Sequence, residues 1–470
     1  MDDGEKKLLF GTGLTRREML GGTTAIAAAL ATSGVASAAT SPDGEEKNPY
    51  GSPPGSGISI PPYYQPTPSV KNRNTYFPQT EELAPDEMRI TFMGSNPWPP
   101  RQDQAGTCIM VELGNGGRYF FDFGSGCLRN IIGNQVPVPE INDIFLSHLH
   151  VDHFADLPYL YAFAPSIMRW KPLRVYGPSG RTPELGTKSM LKSMEQMCNW
   201  HRQSFMSLPV GDGYEVEVTE FDFKDEGGIC YNKNGVTVRH WQRSHTMDGA
   251  SAYRLDWNGL SFVWTGDGKP DQLSAKYGKG ADVFVSEMVV DMPGIWALKQ
   301  GIPMPIAAFT IDASHSPGYG VGYLGNEIKP RLLMATHFSF DRELLGEAMA
   351  EVRTHYEGMF AFGIDHTVVN VTKDALWIRE AAMPNSANTT KPDPKWMVQE
   401  LFGGVVPKEI TFPDPKYTIA ENQNQEIRDL EIPQNTYTPP DQIRPWVREW
   451  PKGLKVNPAA LLGGPPPTKK

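Results

Sequence analysis

The sequence predicts an α/β fold, and two patterns predict it. Short apolar runs rich in β-branched and aromatic residues are separated by glycine turns, which is typical of buried strands. These runs are residues 89–93, 107–113, 118–123, 142–147 and 367–378. Two longer runs, residues 184–206 and 342–358, predict helices that cover the sheet.

A cluster of chemically active side chains follows the strand predicted at residues 142–147. His148, His150, Asp152 and His153 lie within six consecutive positions. In open α/β sheets ligands gather beyond the carboxyl ends of strands. The rings of His148 and His150 alternate and can converge on one ion, whereas Asp152 and His153 follow at a shifted angle that suits a second. This donor set predicts a two-metal site for Zn, Fe or Mn.

The amino terminus carries the pattern of a twin-arginine export signal. Arg16 and Arg17 precede an uncharged run rich in Ala, Gly and Thr that ends in Ala36, Ser37 and Ala38. The run is a poor membrane span, and its last residues suit peptidase cleavage after Ala38. We therefore predict a signal peptide over residues 1–38, export to the periplasm and no stable membrane span after cleavage. A retained, uncleaved anchor is the alternative.

Composition divides the rest of the chain into three parts. Residues 39–85 are crowded with Pro, Gly and Ser and predict a linker or an arm that hugs the surface. The catalytic domain is predicted over residues 86–378. Residues 379–470 are Pro-rich and acidic, and predict an extension that wraps the domain or is partly disordered.

The charge balance bears on the class of partner. The chain has 44 Lys and Arg residues against 54 Asp and Glu residues, a formal net charge of −10. No basic stripe interrupts it, and residues 211–226 are strongly acidic. Because phosphate backbones are bound through clustered cations, this balance predicts no nucleic-acid partner.

Beyond these patterns, the HxHxDH motif resembles the signature of the metallo-β-lactamase-fold hydrolases. Asp122 resembles the strand-end Asp that braces the site in that family, and His245, Asp267 and His337 resemble its later motifs in order. The resemblance implies an αββα sandwich with a Pro-rich amino-terminal arm and a carboxyl-terminal extension. It implies one ion on His148, His150 and His245, a second on Asp152, His153 and His337, and Asp267 shared by both.

Other segments resemble the ribonuclease Z and arylsulfatase branch of that family. They are residues 157–159 and 173–178, and the chain is also similar to a subgroup of guanitoxin-biosynthesis type. Ser286 stands where ribonuclease Z has the His that protonates its leaving group, which argues against tRNA processing. His315 matches a later His-Ser-Thr segment and is the remaining candidate to protonate the leaving group or contact anionic oxygens.

Together these observations predict an exported, dinuclear, metal-dependent hydrolase that uses a metal-bridging hydroxide. The predicted substrate is a small-molecule ester of sulfate, phosphate or carboxylate, with Asp152 and His315 as catalytic residues. The expected cofactors are two divalent ions, Zn first and Fe or Mn as alternatives, and a homo-oligomer is compatible with the sequence. Two other functions stay open: a ribonuclease Z-like phosphodiesterase, and a non-catalytic metal-binding partner in an exported complex.

Overall fold

The computed structural model describes residues 67–68, 74–98, 101–339, 341–383, 394–431, 433–436, 438–440, 452–456 and 458. All of them belong to the second of two units, Tyr64–Lys470. The predicted signal peptide, residues 1–38, and most of the predicted linker lie outside the described residues. Within the described ranges, no helix is both long and apolar enough to cross a bilayer. The predicted domain boundaries stay predictions.

In the part of the chain that the structure describes, nine strands form one mixed sheet in the order β2-β18-β17-β4-β5-β6-β7-β8-β9. The strands from β17 to β6 are antiparallel, and β6 to β9 run parallel. The bounds are β2 Thr75–Tyr76, β4 Met88–Gly94, β5 Cys108–Leu113, β6 Arg118–Phe121, β7 Asp143–Phe145, β8 Leu173–Pro178, β9 Val216–Phe221, β17 Thr367–Val371 and β18 Leu376–Ala381.

A second mixed sheet has seven described strands in sequence order, antiparallel from β10 to β13 and parallel from β13 to β16. Its bounds are β10 Gly228–Lys233, β11 Val236–Gln242, β12 Ser251–Trp257, β13 Leu260–Trp264, β14 Val283–Glu287, β15 Leu332–Thr336 and β16 Phe360–Phe362. Two short pairs stand apart: β1 Thr67–Pro68 with β3 Glu81–Glu82, and β19 Ile410–Thr411 with β20 Lys455–Val456.

Helices cover the outer faces of these sheets. The α-helices are α1 Cys127–Gly133, α2 Val151–Phe154, α3 Leu157–Phe163, α4 Thr187–Met197, α5 Asn199–Phe205, α6 Gln272–Gly278, α7 Pro293–Gln300, α8 Met304–Ser314, α9 Gly318–Ile328, α10 Leu345–Arg353, α11 Pro394–Phe402, α12 Ile419–Asn422 and α13 Gln425–Arg428. Short 3₁₀ turns lie at Val138–Glu140, Ala164–Ile167, Pro183–Leu185, Arg342–Leu344 and Gln434–Thr436.

The buried apolar side chains separate into layers. One cluster joins the facing sides of the two sheets, with Ile90 of β4 and Val238 of β11 among its members. A second cluster packs α1, α3 and α4 on the outer face of the first sheet, and a third packs α9 and α10 on the outer face of the second. Alternate residues of each strand point to opposite faces, so both sheets are buried on two sides. The predicted αββα sandwich is therefore confirmed.

Three predicted elements differ from the structure. The helix predicted at residues 184–206 is broken at Cys198 into α4 and α5, and the one predicted at 342–358 is α-helical over Leu345–Arg353. The strand predicted at 367–378 is a hairpin of β17 and β18, because Thr372 accepts a hydrogen bond from the Ala375 N–H through Oγ1 and closes a turn. Hydrophobic periodicity runs across such local turns and does not detect them.

Residues 74–87 lie against the outer face of the first sheet and are held there by polar contacts. Arg379 of β18 donates two hydrogen bonds to the Glu81 carboxylate, at 2.7 and 2.8 Å, and both side chains are fully buried. The guanidinium groups of Arg89 and Arg379 lie over the Tyr76 ring at 4.6 and 5.0 Å. The described part of the predicted linker is thus built into the edge of the domain.

Candidate metal centre

Four strand ends place the predicted ligands at one edge of the sandwich. His148, His150, Asp152 and His153 follow β7, while His245 follows β11, Asp267 follows β13 and His337 follows β15. Strands β11, β13 and β15 run in the same direction in the second sheet. Their carboxyl ends therefore meet, and the structure brings all seven predicted side chains together in two groups that could each hold an ion.

The first group consists of three imidazoles and one carboxylate. Nε2 of His148 lies 2.9 Å from Nδ1 of His150, which lies 3.2 Å from Nε2 of His245. Oδ2 of Asp267 is 3.8 Å from Nε2 of both His148 and His245. Burial lowers the pKa of His148 well below its usual value and also lowers the pKa values of His150 and His245. The rings are thus neutral near pH 7, the form that binds a cation.

The second group consists of Asp152, His153 and His337, with Asp267 beside them. Nε2 of His153 lies 3.2 Å from Nε2 of His337, and Oδ2 of Asp152 lies 3.3 Å from His337 and 3.5 Å from His153. Asp267 approaches the same two nitrogens at 3.4 Å through separate oxygens. Burial opposes ionisation of Asp152, yet the neighbouring His153 and His337 lower its pKa to about 2.

These residues fit a pair of divalent cations. A tetrahedral ion with ligands at about 2.0 to 2.1 Å sets its ligand atoms roughly 3.3 Å apart, and the measured separations lie between 2.9 and 3.8 Å. Oδ1 of Asp267 is buried and accepts no hydrogen bond from the described residues, although His153 Nε2 is 3.4 Å away. A buried carboxylate oxygen without a donor is costly unless a cation binds it. The assignment of individual ligands stays a prediction.

Asp122 braces the second group from behind. Its carboxylate accepts hydrogen bonds from the Ser147 N–H at 2.6 Å, the Ser147 hydroxyl at 2.8 Å and the Trp264 indole N–H at 2.8 Å. Oδ2 also lies 2.9 Å from Nδ1 of His153. The sequence motif singled out Asp122, but it carried no sign of Trp264, which is 142 positions away.

Backbone constraints aim the remaining ligands. Nδ1 of His245 lies 2.8 Å from the carbonyl oxygen of Ser314, which fixes the ring orientation. His337 has a left-handed backbone with φ 59°. Gly266 has φ 57°, and a Cβ atom there would lie 2.7 Å from Cβ of Ser147, so the loop before Asp267 requires glycine.

His315 is held beside the two groups by Glu287. Its Nδ1 lies 3.3 Å from Oε2 of Glu287, whose Oε1 accepts hydrogen bonds from the N–H groups of Gly268 and Ser316. Burial opposes protonation, but the Glu287 carboxylate raises the pKa of His315 to about 9. The rings of His245 and His337 are 5.1 and 5.9 Å away, measured between centroids. Sequence reasoning had assigned no role to Glu287, although it ends a buried strand.

Ser286 precedes Glu287 on β14 and is fully buried. Its hydroxyl donates a hydrogen bond to the Glu287 carbonyl oxygen at 2.8 Å. The side chain is therefore occupied within its own strand. His315 is the titratable group beside the ligands that the described residues hold through a carboxylate outside the two groups.

Comparison with known proteins identifies the family. A family model described as tRNase Z endonuclease matches residues 99–155. Ribonuclease Z from Methanosarcina acetivorans is 31% identical over 283 residues, which are 54% of this chain and 88% of that relative. The chain belongs to the tRNase Z-like family of the metallo-β-lactamase fold.

Further relatives of this tRNase Z-like chain have related names. Ribonuclease BN from Proteus mirabilis is 29% identical over 53% of this chain and 68% of the relative. Among solved structures, human tRNase Z, short form, covers 60% of the chain and 98% of that protein at 16% identity and a TM-score of 0.44. Zn²⁺-bound PqqB from Methylobacterium extorquens covers 60% and 99% at 12% identity and a TM-score of 0.41.

Membership of the tRNase Z-like family confirms the prediction of a metal-dependent hydrolase that acts on ester bonds. It contradicts the prediction of a small-molecule ester substrate and of no nucleic-acid partner, because the matched relatives are named ribonucleases. The charge argument failed for a physical reason. Net charge sums the whole chain, and acidic residues such as Glu217 and Glu220 lie on β9, an edge strand of the first sheet. Charges on an edge strand oppose strand pairing between molecules and say little about the potential at a metal centre.

Proposed function

We propose that this chain is a dinuclear, metal-dependent phosphodiesterase that cleaves RNA of the tRNA class. The observation that carries the proposal is the convergence of two ligand groups on Asp267 in a chain whose relatives are named ribonuclease Z and BN. Zn²⁺ is the first candidate for both sites, because imidazole and carboxylate donors at these separations suit tetrahedral coordination.

The residues divide into ligands and supports. His148, His150 and His245 would hold one cation, Asp152, His153 and His337 the other, and Asp267 both. When bound, such cations supply Lewis acidity toward a phosphodiester and acidify water. Asp122, through Ser147 and Trp264, keeps the His153 ring from turning away.

His315 is the proposed proton donor to the leaving oxygen. Glu287 holds its Nδ1, so that Nε2 is the nitrogen available to substrate. The buried N–H groups of Gly268 and Ser316 hold Glu287 in turn, which keeps the pair from rotating. Ser286 has no acidic proton to give at neutral pH. This chain would thus perform from α8 the proton transfer for which a strand-end His is expected in ribonuclease Z.

The test uses purified protein lacking residues 1–38, loaded with Zn²⁺ or Mn²⁺, and a labelled tRNA precursor transcript. We expect about two ions per chain and metal-dependent cleavage. Asp267→Asn should abolish cleavage and lower metal content. His315→Ala should keep both ions and slow the chemical step by about 10²- to 10⁴-fold.

A matched control is His355→Ala, since His355 is exposed and its ring contacts Tyr323 rather than the ligands. It should leave cleavage unchanged. Full metal loading without cleavage of any RNA would refute the proposed substrate class. Normal cleavage by His315→Ala would refute the proton-transfer role and leave the substrate class standing.

A second candidate is the ligand set without turnover, as a metal-binding partner in an exported complex. Unaltered function in cells after Asp267→Asn would favour it over the phosphodiesterase.

A further inference from the structure

Arg169 is a buried cation with no carboxylate beside it. The residue is 1% exposed, and its Nη1 donates a hydrogen bond to the Lys171 carbonyl oxygen at 3.2 Å. Its Nε and Nη2 atoms are buried and donate to no described residue. Burial lowers the pKa of Arg169 to about 10, and no acidic side chain counters that effect. The other fully buried guanidinium groups, Arg89 and Arg379, each face a glutamate.

The two unpartnered nitrogens form one edge of the guanidinium. Nε and Nη2 direct parallel N–H bonds to the same side, the geometry that binds two oxygens of one oxyanion. Leaving that edge unpaired in the interior costs several kcal/mol in general. The arrangement therefore calls for an acceptor that the polypeptide does not supply.

Other unpartnered donors lie near this edge. The Tyr161 hydroxyl is fully buried and has no hydrogen-bond partner, and the same holds for the buried Nε atom of Arg202. Tyr161 interacts electrostatically with both Arg169 and Arg202. Glu195 acts on Tyr161 and on Arg202 but forms no ion pair with either arginine among the described contacts.

Tyr214 differs from Tyr161 although the two rings meet edge to face at 5.7 Å. Its hydroxyl donates a hydrogen bond to the Ala162 carbonyl oxygen at 3.0 Å. The unpartnered donors are thus specific to Arg169, Tyr161 and Arg202, and are not a general property of this part of the core.

We propose that Arg169, Tyr161 and Arg202 bind a tetrahedral oxyanion of the sulfate or phosphate class. The site is separate from the metal centre. It lies among the helices on the outer face of the first sheet, where Tyr161 belongs to α3 and Arg202 to α5. The anion neutralises Arg169 and ties these two helices to the turn that follows residues 164–167.

The experiment measures thermal unfolding of the metal-loaded protein in sodium sulfate against sodium chloride at equal ionic strength. A bound anion gives a saturable rise in Tm of about 2 to 4 °C at low millimolar sulfate, on top of the gradual stabilisation that sulfate gives any protein. Ion chromatography of denatured protein, purified without sulfate or phosphate, detects an anion retained from the cell.

Arg169→Met should remove the saturable rise, and Tyr161→Phe should raise the sulfate concentration needed for half of it by roughly tenfold. Tyr214→Phe is the matched control and should keep the wild-type response. Asp267→Asn should also keep it, which separates this site from anions held at the metal centre. If Arg169→Met does not fold, Tyr161→Phe against Tyr214→Phe decides.

An equal response in Arg169→Met would overturn the proposal, because the shift would then come from elsewhere. So would the absence both of a saturable shift and of a retained anion in wild type, since water would then serve these donors.

Discussion

Oδ2 of Asp122 lies 2.9 Å from Nδ1 of His153, and the two residues come from the ends of adjacent parallel strands. Asp122 reaches this position with a left-handed backbone, φ 60°. The same oxygen accepts the Trp264 indole N–H from the opposite sheet. One carboxylate thus links the two sheets exactly where the second ligand group begins, so its removal has a defined expected effect.

Asp122→Asn should weaken the second metal site. The amide cannot accept from Ser147, Trp264 and His153 at once, so the His153 ring is no longer held in place. We expect a loss of about 10- to 100-fold in metal affinity or activity. Elemental analysis and RNA cleavage measure it, with Asp256→Asn as a control at a half-exposed carboxylate. Unchanged affinity would mean that packing alone positions His153.

Glu81→Gln should destabilise the protein strongly. Arg379 and Glu81 are both fully buried, so the variant leaves an uncompensated guanidinium. Breaking such a pair costs about 3 to 5 kcal/mol. Urea unfolding measures the change, and Glu409→Gln, which breaks the exposed pair with Lys455, should change little. Similar midpoints for both variants would show that residues 74–87 add little to stability.

His240 should make stability fall as the pH falls. The ring is 1% exposed and stacks on Phe221 with centroids 3.7 Å apart. Burial, helped by Arg239 and opposed by Asp222, lowers the pKa of His240 from 6.5 to about 4. Between these values the unfolded chain binds a proton that the folded protein does not, so stability declines from above pH 6.5 toward pH 4.

The measurement compares wild type with His240→Phe by urea unfolding at pH 7 and pH 5. Wild type should lose about 1 to 2 kcal/mol more than the variant over this interval. Other titrating groups contribute to both proteins and cancel in the difference. Parallel losses would show that His240 is protonated in the folded state.

Export stays a prediction of the amino-terminal sequence, because residues 1–38 lie outside the described residues. Replacing Arg16 and Arg17 with Lys should keep the protein in the cytoplasm with an uncleaved amino terminus. Cell fractionation and amino-terminal sequencing measure this. Periplasmic recovery of the variant would exclude the twin-arginine route.

Local chemistry made the metal centre predictable. Four of its residues lie within six positions, and His245, Asp267 and His337 each follow an apolar run that forms a strand. Strand ends meet at one edge of a sheet whatever the intervening sequence, so a strand-end reading finds such ligands. The break at Cys198 and the hairpin at Thr372 were missed because hydrophobic periodicity continues across them.

The sequence by itself determined the α/β class, the αββα sandwich through its resemblance, and the identity of the candidate ligands. These depend on residues close in the chain or on motifs in a fixed order. Only the tertiary structure decided that Trp264 supports Asp122, that Glu287 holds His315 and that Arg169 has no acidic partner. Hydrogen bonds and burial depend on distances in space between residues far apart in the chain, and composition cannot encode them.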